Sequence, residues 1–214
     1  MPPVPRLLDI SRPLYTGAPH WPGDLGTSFR LVSRIADGRA ANVGHLEIGI
    51  HSGTHADAPY HYCENGARID ELSPDLFVGA SRVIDARGAS SFTPALFAGL
   101  APEVLTMTPR VLFRTDVWSD PATFPTTWPL LAPGMAGWLA AAGVALIGLD
   151  VPSVDPVDST GMAIHHQLHA AGILILESLD LHGIDAGVYE LIALPLKVRG
   201  ADGSPVRAVL RRVP

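Results

Sequence analysis

Cysteine is almost missing from this chain of 214 residues: Cys63 stands alone. That excludes an internal disulfide framework, a multi-cysteine zinc site and an iron–sulfur cluster. Lysine is as scarce, with Lys197 the only one, and the arginines form no basic cluster in the sequence. With a formal net charge of −6, the chain is not built to grip a nucleic acid or an anionic membrane. Long apolar runs are missing too. The longest, Met135–Leu149, falls short of the ~20 residues that span a bilayer and is interrupted by glycines, so no membrane partner is expected. Charged residues are only 17% against 47% hydrophobic, a balance that supports a packed core and excludes disorder over most of the chain. The segment Met1–Arg6 lacks the apolar stretch of a signal peptide, so a cytoplasmic location is expected.

What the chain does have is histidine, nine in all. It also has 20 prolines and 21 glycines spread along its length, which suits many tight turns and no single linker. No internal repeat appears, and one domain over residues 1–214 is expected. Extended segments are read at Arg6–Ile10, Ser28–Ile35, Gly44–Ile50, Ala80–Asp85, Val111–Arg114, Val144–Leu149 and Ile173–Leu176. Tyr189–Leu194 and Val206–Arg211 flank Gly200-Ala201-Asp202-Gly203 and read as a hairpin. Helices are expected at Thr93–Ala98, at Met135–Ala142 with a stop at Gly143, and at Met162–Ala171 with a stop at Gly172. Strands with interspersed helices give a mixed α/β fold class.

Six of the nine histidines fall in two short segments. The first, His51-Ser52-Gly53-Thr54-His55-Ala56-Asp57-Ala58-Pro59-Tyr60-His61, follows an alternating strand. Gly53 and Pro59 oppose a continuous helix, so a loop at a strand end is expected to converge the side chains. His51, His55 and Asp57 form a nitrogen–oxygen ligand set suited to Zn²⁺ or Mn²⁺. A carboxylate can bridge two ions. His61, outside that tight spacing, has the chemistry of a proton carrier. The second segment places His165, His166 and His169 on a helix and ends a strand of aliphatic residues with Glu177. A carboxylate after Ile173-Leu174-Ile175-Leu176 must be solvated, paired or coordinated. Helical periodicity lets only one or two of the three histidines face inward, and His166 and His169 are read as outward.

The stretch at 51–61 resembles the signature of the cyclase-like metal-dependent hydrolases, and within them the bacterial kynurenine formamidases. The likeness extends to Leu8-Asp9-Ile10-Ser11-Arg12-Pro13-Leu14, Trp21-Pro22-Gly23-Asp24, Gly148–Pro156, His165–Leu168, Tyr189–Pro195 and Asp202–Val209. It implies a swivelling β/β/α fold, a homodimer and a site with two Zn²⁺ ions, with Mn²⁺ or Co²⁺ as possible substitutes. By position it implies the ligands His51, His55, Asp57, His165 and Glu177, with Asp57 shared. It implies His61 as the catalytic histidine, Trp21 against the substrate, and hydrolysis of N-formyl-L-kynurenine to L-kynurenine and formate. The Pro-rich start and the insertion-like region Met107–Trp128 are less typical of the family, and no role is carried over to them.

Two other functions compete. One is another amide or lactam hydrolase of the same superfamily, resembling the isatin hydrolases or polyketide cyclases. The other is a non-catalytic metal-binding module, whose site would be coordinatively closed. A Cys63–His61 nucleophilic pair is disfavoured, and Ser153 and Ser159 fit no nucleophile elbow. Asp150, Asp155 and Asp158 read as loop and turn residues. His20, His45 and His182 have no assigned work.

Overall fold

The computed structural model describes residues 7–101 and 103–213. The segment read as lacking a signal peptide, and the first residue of the Arg6–Ile10 strand, lie outside the described residues. Among the described residues there are thirteen strands: β1 (Leu7–Asp9), β2 (Ser28–Ser33), β3 (Val43–Glu47), β4 (His55–Asp57), β5 (Val78–Asp85), β6 (Ser91–Phe92), β7 (Arg110–Arg114), β8 (Leu130–Leu131), β9 (Leu146–Leu149), β10 (Leu174–Glu177), β11 (Gly187–Ile192), β12 (Gly203–Pro205) and β13 (Val209–Arg212). The α-helices are α1 (Glu103–Met107), α2 (Met135–Ala141) and α3 (Ala163–Ala170). Nine strands form one sheet in the order β1-β13-β11-β5-β7-β9-β10-β4-β12. Its centre, β5 to β10, is parallel, and the strands on either flank are antiparallel. This is the mixed α/β class read from the sequence.

The parallel centre explains its own composition. A strand covered on both faces can be apolar at every position, as in Val111-Leu112-Phe113 and Leu146-Ile147. Val111, Phe113, Ile147, Leu149 and Ile175 point to one apolar cluster, which includes Leu139 of α2 and Leu168 of α3. Leu112, Leu146 and Leu176 alternate to the other cluster, with Ile10, Phe77, Leu191 and Leu210. Gly148 faces the second cluster. A Cβ there would lie 2.5 Å from Leu112 Cδ2 and 2.7 Å from Leu179 Cδ1. Helices α2 and α3 are the crossovers that join β7 to β9 and β9 to β10. Both end at the expected glycines, Gly143 (φ 87°) and Gly172 (φ 70°), whose left-handed backbone lets the next residue close the helix end.

Three expectations need correction. Thr93–Ala98 is not an α-helix but a single 3₁₀ turn, Pro94–Phe97, too short to propagate before Gly99 turns the chain away. The strand read at Gly44–Ile50 ends at Glu47 and pairs only with β2, in a separate two-stranded sheet. Leu46 on it is 49% exposed, so its alternation does not mark a buried face. Finally, β11 and β13 do pair antiparallel, but Gly200–Gly203 is not a simple hairpin turn between them. The chain first forms β12, which adds to β4 at the far end of the sheet, and only then returns as β13.

Candidate metal centre

The first histidine segment is not the loop expected from its Gly and Pro. His55–Asp57 is a strand, because β10 and β12 complete its ladder on both sides. Three consequences follow from the period of two along a strand. His55 and Asp57 share one face. Ala56 turns the other way into the core. Glu177, directly opposite His55 in the β10 ladder, joins the same face. Glu177 also ends a parallel strand, and carboxyl ends of such strands are where sites form in α/β sheets. The remaining groups arrive from outside the sheet: His51 from the turn before β4, His61 from the 3₁₀ turn Pro59–His61, and His165 from the first turn of α3.

The convergence is tight. Asp57 Oδ1 lies 3.0 Å from His51 Nδ1 and 3.4 Å from His55 Nε2, while Oδ2 lies 3.5 Å from His165 Nε2. Glu177 reaches His55 Nε2 at 3.4 Å and His165 Nε2 at 3.6 Å, and accepts a hydrogen bond from Val154 N at 2.8 Å. The ligand atoms of His55, Asp57 and Glu177 lie within 4.8 Å of one another, as do those of His51, Asp57 and His61. Asp57 is therefore common to two groups, as a bridging carboxylate would be. The second group brings in His61, which the sequence had separated from the ligands.

The other nitrogens of the inner histidines are pinned from outside. His55 Nδ1 is 2.9 Å from Gly53 O, His165 Nδ1 is 2.6 Å from Asp155 Oδ2, and His51 Nε2 is 3.1 Å from Asp202 Oδ2. Such outer acceptors fix the ring orientation and the tautomer of a ligating histidine. Asp155 is thus no mere turn residue: its carboxylate also accepts from the backbone N–H groups of Ile164 and His165 at the start of α3. Asp155 and Asp202 were missed as site residues because contacts ten and 151 residues apart leave no local spacing.

The site fits a cation. His55 Nε2, His165 Nε2 and Asp57 Oδ2 are buried and have no hydrogen-bond partner. Buried polar atoms left without partners are uncommon, and here all three point into one space. The electrostatics agree. Burial opposes charge on His55, but Asp57 and Glu177 outweigh it and lift its pKa to about 10. Burial likewise opposes charge on His165, and Asp155 and Asp57 raise it to about 10. Burial would push Asp57 up, yet the hydrogen bonds from His165, His51 and His55 hold it well below the usual carboxylate range. Two buried carboxylates therefore demand positive charge, which a metal ion supplies by displacing protons. Burial pushes His61 down against the pull of Asp57, which favours the neutral ring that can accept a proton.

A pocket of about 250 Å³ opens onto these groups, lined by Trp21, His61, Ser153, Ser159 and Met162 among others. Trp21 and Asp24 reach its mouth on one turn, Trp21-Pro22-Gly23-Asp24, with Gly23 at φ 94° and Asp24 N donating to Trp21 O. That is a type II turn with Pro and Gly in their favoured places. Behind Trp21 stand Phe124 and Trp128, with ring centroids at 5.9 and 6.2 Å. The region Met107–Trp128, without an assigned role in the sequence, thus supplies the brace for Trp21.

The remaining histidines stay apart from the site. His166 and His169 face outward on α3, as periodicity required. His45 is exposed on β3, and His182 lies 3.8 Å from Asp116 on the surface. His20 packs on Gly26, with Nδ1 3.1 Å from Ala18 O. Cys63 packs against the first apolar cluster and does not line the pocket.

With this geometry in hand, likeness to known proteins becomes informative. The family described as Putative cyclase matches residues 8–156. A kynurenine formamidase of Geobacillus thermodenitrificans is 41% identical over 206 residues, spanning 96% of this chain and 97% of its own. A solved structure described as a potential metal-dependent hydrolase with cyclase activity has a TM-score of 0.80 at 27% identity, covering 97% of this chain and 98% of that one. Isatin hydrolase A from Labrenzia aggregata has a TM-score of 0.78 at 26% identity, covering 96% and 93%. The metal-dependent neighbour and the His, Asp and Glu groups together support a metal cofactor. The chain belongs to the cyclase family.

Proposed function

We propose that this protein is a kynurenine formamidase, a single domain over residues 1–214 that hydrolyses N-formyl-L-kynurenine to L-kynurenine and formate. The observation that carries the reading is 41% identity to a curated kynurenine formamidase over 96% of the chain. The likeness to isatin hydrolase at 26% identity keeps a lactam hydrolase as the competing reading.

His51, His55, Asp57, His165 and Glu177 would hold the metal, with room in the reading for two ions that share Asp57. Zn²⁺ suits the mixed nitrogen and oxygen donors, and Mn²⁺ or Co²⁺ can replace it. When bound, the metal supplies a Lewis acid for the formyl carbonyl and lowers the pKa of water from about 15.7 to about 7. His61 takes a proton from the attacking water and delivers one to the aniline nitrogen as the C–N bond breaks. Without that proton the nitrogen would leave as an anion, so the delivery is needed. Trp21, held by Phe124 and Trp128, offers its face to the aromatic ring of the substrate.

Among the described residues no helix is long and apolar enough to cross a membrane, and a cytoplasmic location is part of this reading. A homodimer is too. The exposed apolar residues of the β2–β3 hairpin, Phe29, Leu31, Val43 and Leu46, support it, and sedimentation in solution tests it. The activity is tested by stripping the protein of metal, reloading it with Zn²⁺, Mn²⁺ or Co²⁺, and following N-formylkynurenine. Turnover restored by at least one metal is expected; none with any metal would sink the formamidase reading. Faster opening of isatin than of N-formylkynurenine would transfer the assignment to the lactam hydrolases.

A further inference from the structure

The fold delivers the Asp202-Gly203 pair to the edge of the site, beside His61 as well as His51. Asp202 Oδ2 lies 3.1 Å from His51 Nε2 and 3.6 Å from His61 Nδ1. The two imidazoles lie one over the other, with centroids 3.8 Å apart and planes tilted by 31°. One carboxylate oxygen therefore faces a nitrogen of each ring. Asp202 is not on a free loop. Its carbonyl accepts from Ala58 N at 2.9 Å, the preceding Ala201 carbonyl accepts from Ile69 N at 3.0 Å, and Gly203 is in register with Asp57. Gly203 is required there. A Cβ on it would meet Ala56 O at 2.8 Å and His51 Cε1 at 2.9 Å, so only glycine lets the His51 ring lie against this backbone.

A neutral imidazole carries one N–H and one lone pair. If His61 is to take a proton on the nitrogen facing the pocket, its other nitrogen must hold the hydrogen. A carboxylate beside that other nitrogen selects this tautomer and fixes the ring, the logic of any base held by an acidic neighbour. The 3.6 Å separation is longer than a hydrogen bond, but such contacts commonly tighten once substrate is bound. We propose that Asp202 is a positioning residue for His61, holding Nδ1–H so that Nε2 faces the substrate, and that it orients His51 with the same oxygen. The proposal rests on the proton-carrying role assigned to His61.

The test is a double-mutant cycle with metal content measured on every variant. Asp202→Asn, His61→Ala and the pair are assayed with N-formylkynurenine on zinc-loaded protein. Asp202→Asn is expected to lower kcat per bound zinc by about 10- to 100-fold, the usual cost of removing such a support, with KM nearly unchanged. In the His61→Ala background the same change should cost almost nothing, because both act through one group. Asp202→Glu should recover part of the loss. Equal losses in the two backgrounds would overturn the proposal, as would lost zinc with kcat per bound zinc intact, which would leave Asp202 serving His51 alone. Absence of turnover by the zinc-loaded parent protein would overturn the formamidase reading and this proposal with it, an outcome distinct from either of the others.

Discussion

The floor of the site and its mouth are built in different ways. On the floor, the side chains of His55, Asp57, His165 and Glu177 are between 0 and 5% exposed. Three of the four stand on paired strands, so ladder register sets their spacing. At the mouth, Trp21, His51, His61 and Asp202 come from turns, and the exposure of His61 and Asp202 rises to 26% and 39%. Each mouth residue is placed by a few specific contacts, such as the type II turn under Trp21. The difference teaches where substitutions should hurt. A floor residue is one of several charges that compensate each other away from water, so losing one strands the rest. A mouth residue that neither ligates nor supports a ligand, such as Trp21, can be lost with only its own function.

Glu177→Gln breaks the floor and carries the largest expected effect. The amide can still accept from Val154 N, so the fold should persist, but the site loses one of its two central negative charges. Outer supports of metal ligands cost about 10- to 100-fold in affinity, and an inner ligand should cost more. Metal content after gel filtration and chelator competition check this; a variant that keeps its full metal complement would remove Glu177 from the ligand set. Trp21→Ala belongs to the mouth. It should leave metal content unchanged and raise KM by about tenfold, the effect of losing about 1.4 kcal/mol of aromatic contact. Steady-state kinetics decide it, and an unmoved KM would end the stacking assignment. Cys63→Ser lies outside both regions. It should change activity by no more than about twofold and stability by about 1 kcal/mol or less, read from kinetics and thermal unfolding. A dead Cys63→Ser enzyme would return the thiol to the mechanism and undo the division into floor and mouth.

The two regions were unequally legible. The floor residues could be named because ligand chemistry is carried by residue type: a buried strand that ends in Glu177, and His and Asp two apart at 55 and 57, are unusual wherever they fall. The strand nature of 55–57 was hidden, since Gly53 and Pro59 argue for a loop and the partners that make it a strand lie far off in sequence. Asp155 was in view but read as a turn residue, for nothing local shows that it faces His165. Asp202 lay inside a segment read as a hairpin turn. The brace of Phe124 and Trp128 behind Trp21 is a contact between segments about a hundred residues apart, with no periodicity to mark it.

By itself the sequence determined what kind of chemistry is possible. One cysteine and clustered histidines and carboxylates leave an oxygen- and nitrogen-ligated cation as the fitting occupant, because ligand preference depends on donor atoms that each residue carries wherever it is placed. The alternation of apolar residues and the glycine stops gave most strands and two helices for the same local reason. Only the tertiary structure decided which donors meet. Pairing of β4 with β10 set Glu177 opposite His55, and the return of β12 to β4 carried Asp202 to His51 and His61. Those meetings depend on sheet order, and sheet order is fixed by burying both faces of the central strands together, a property no short stretch of the chain possesses alone.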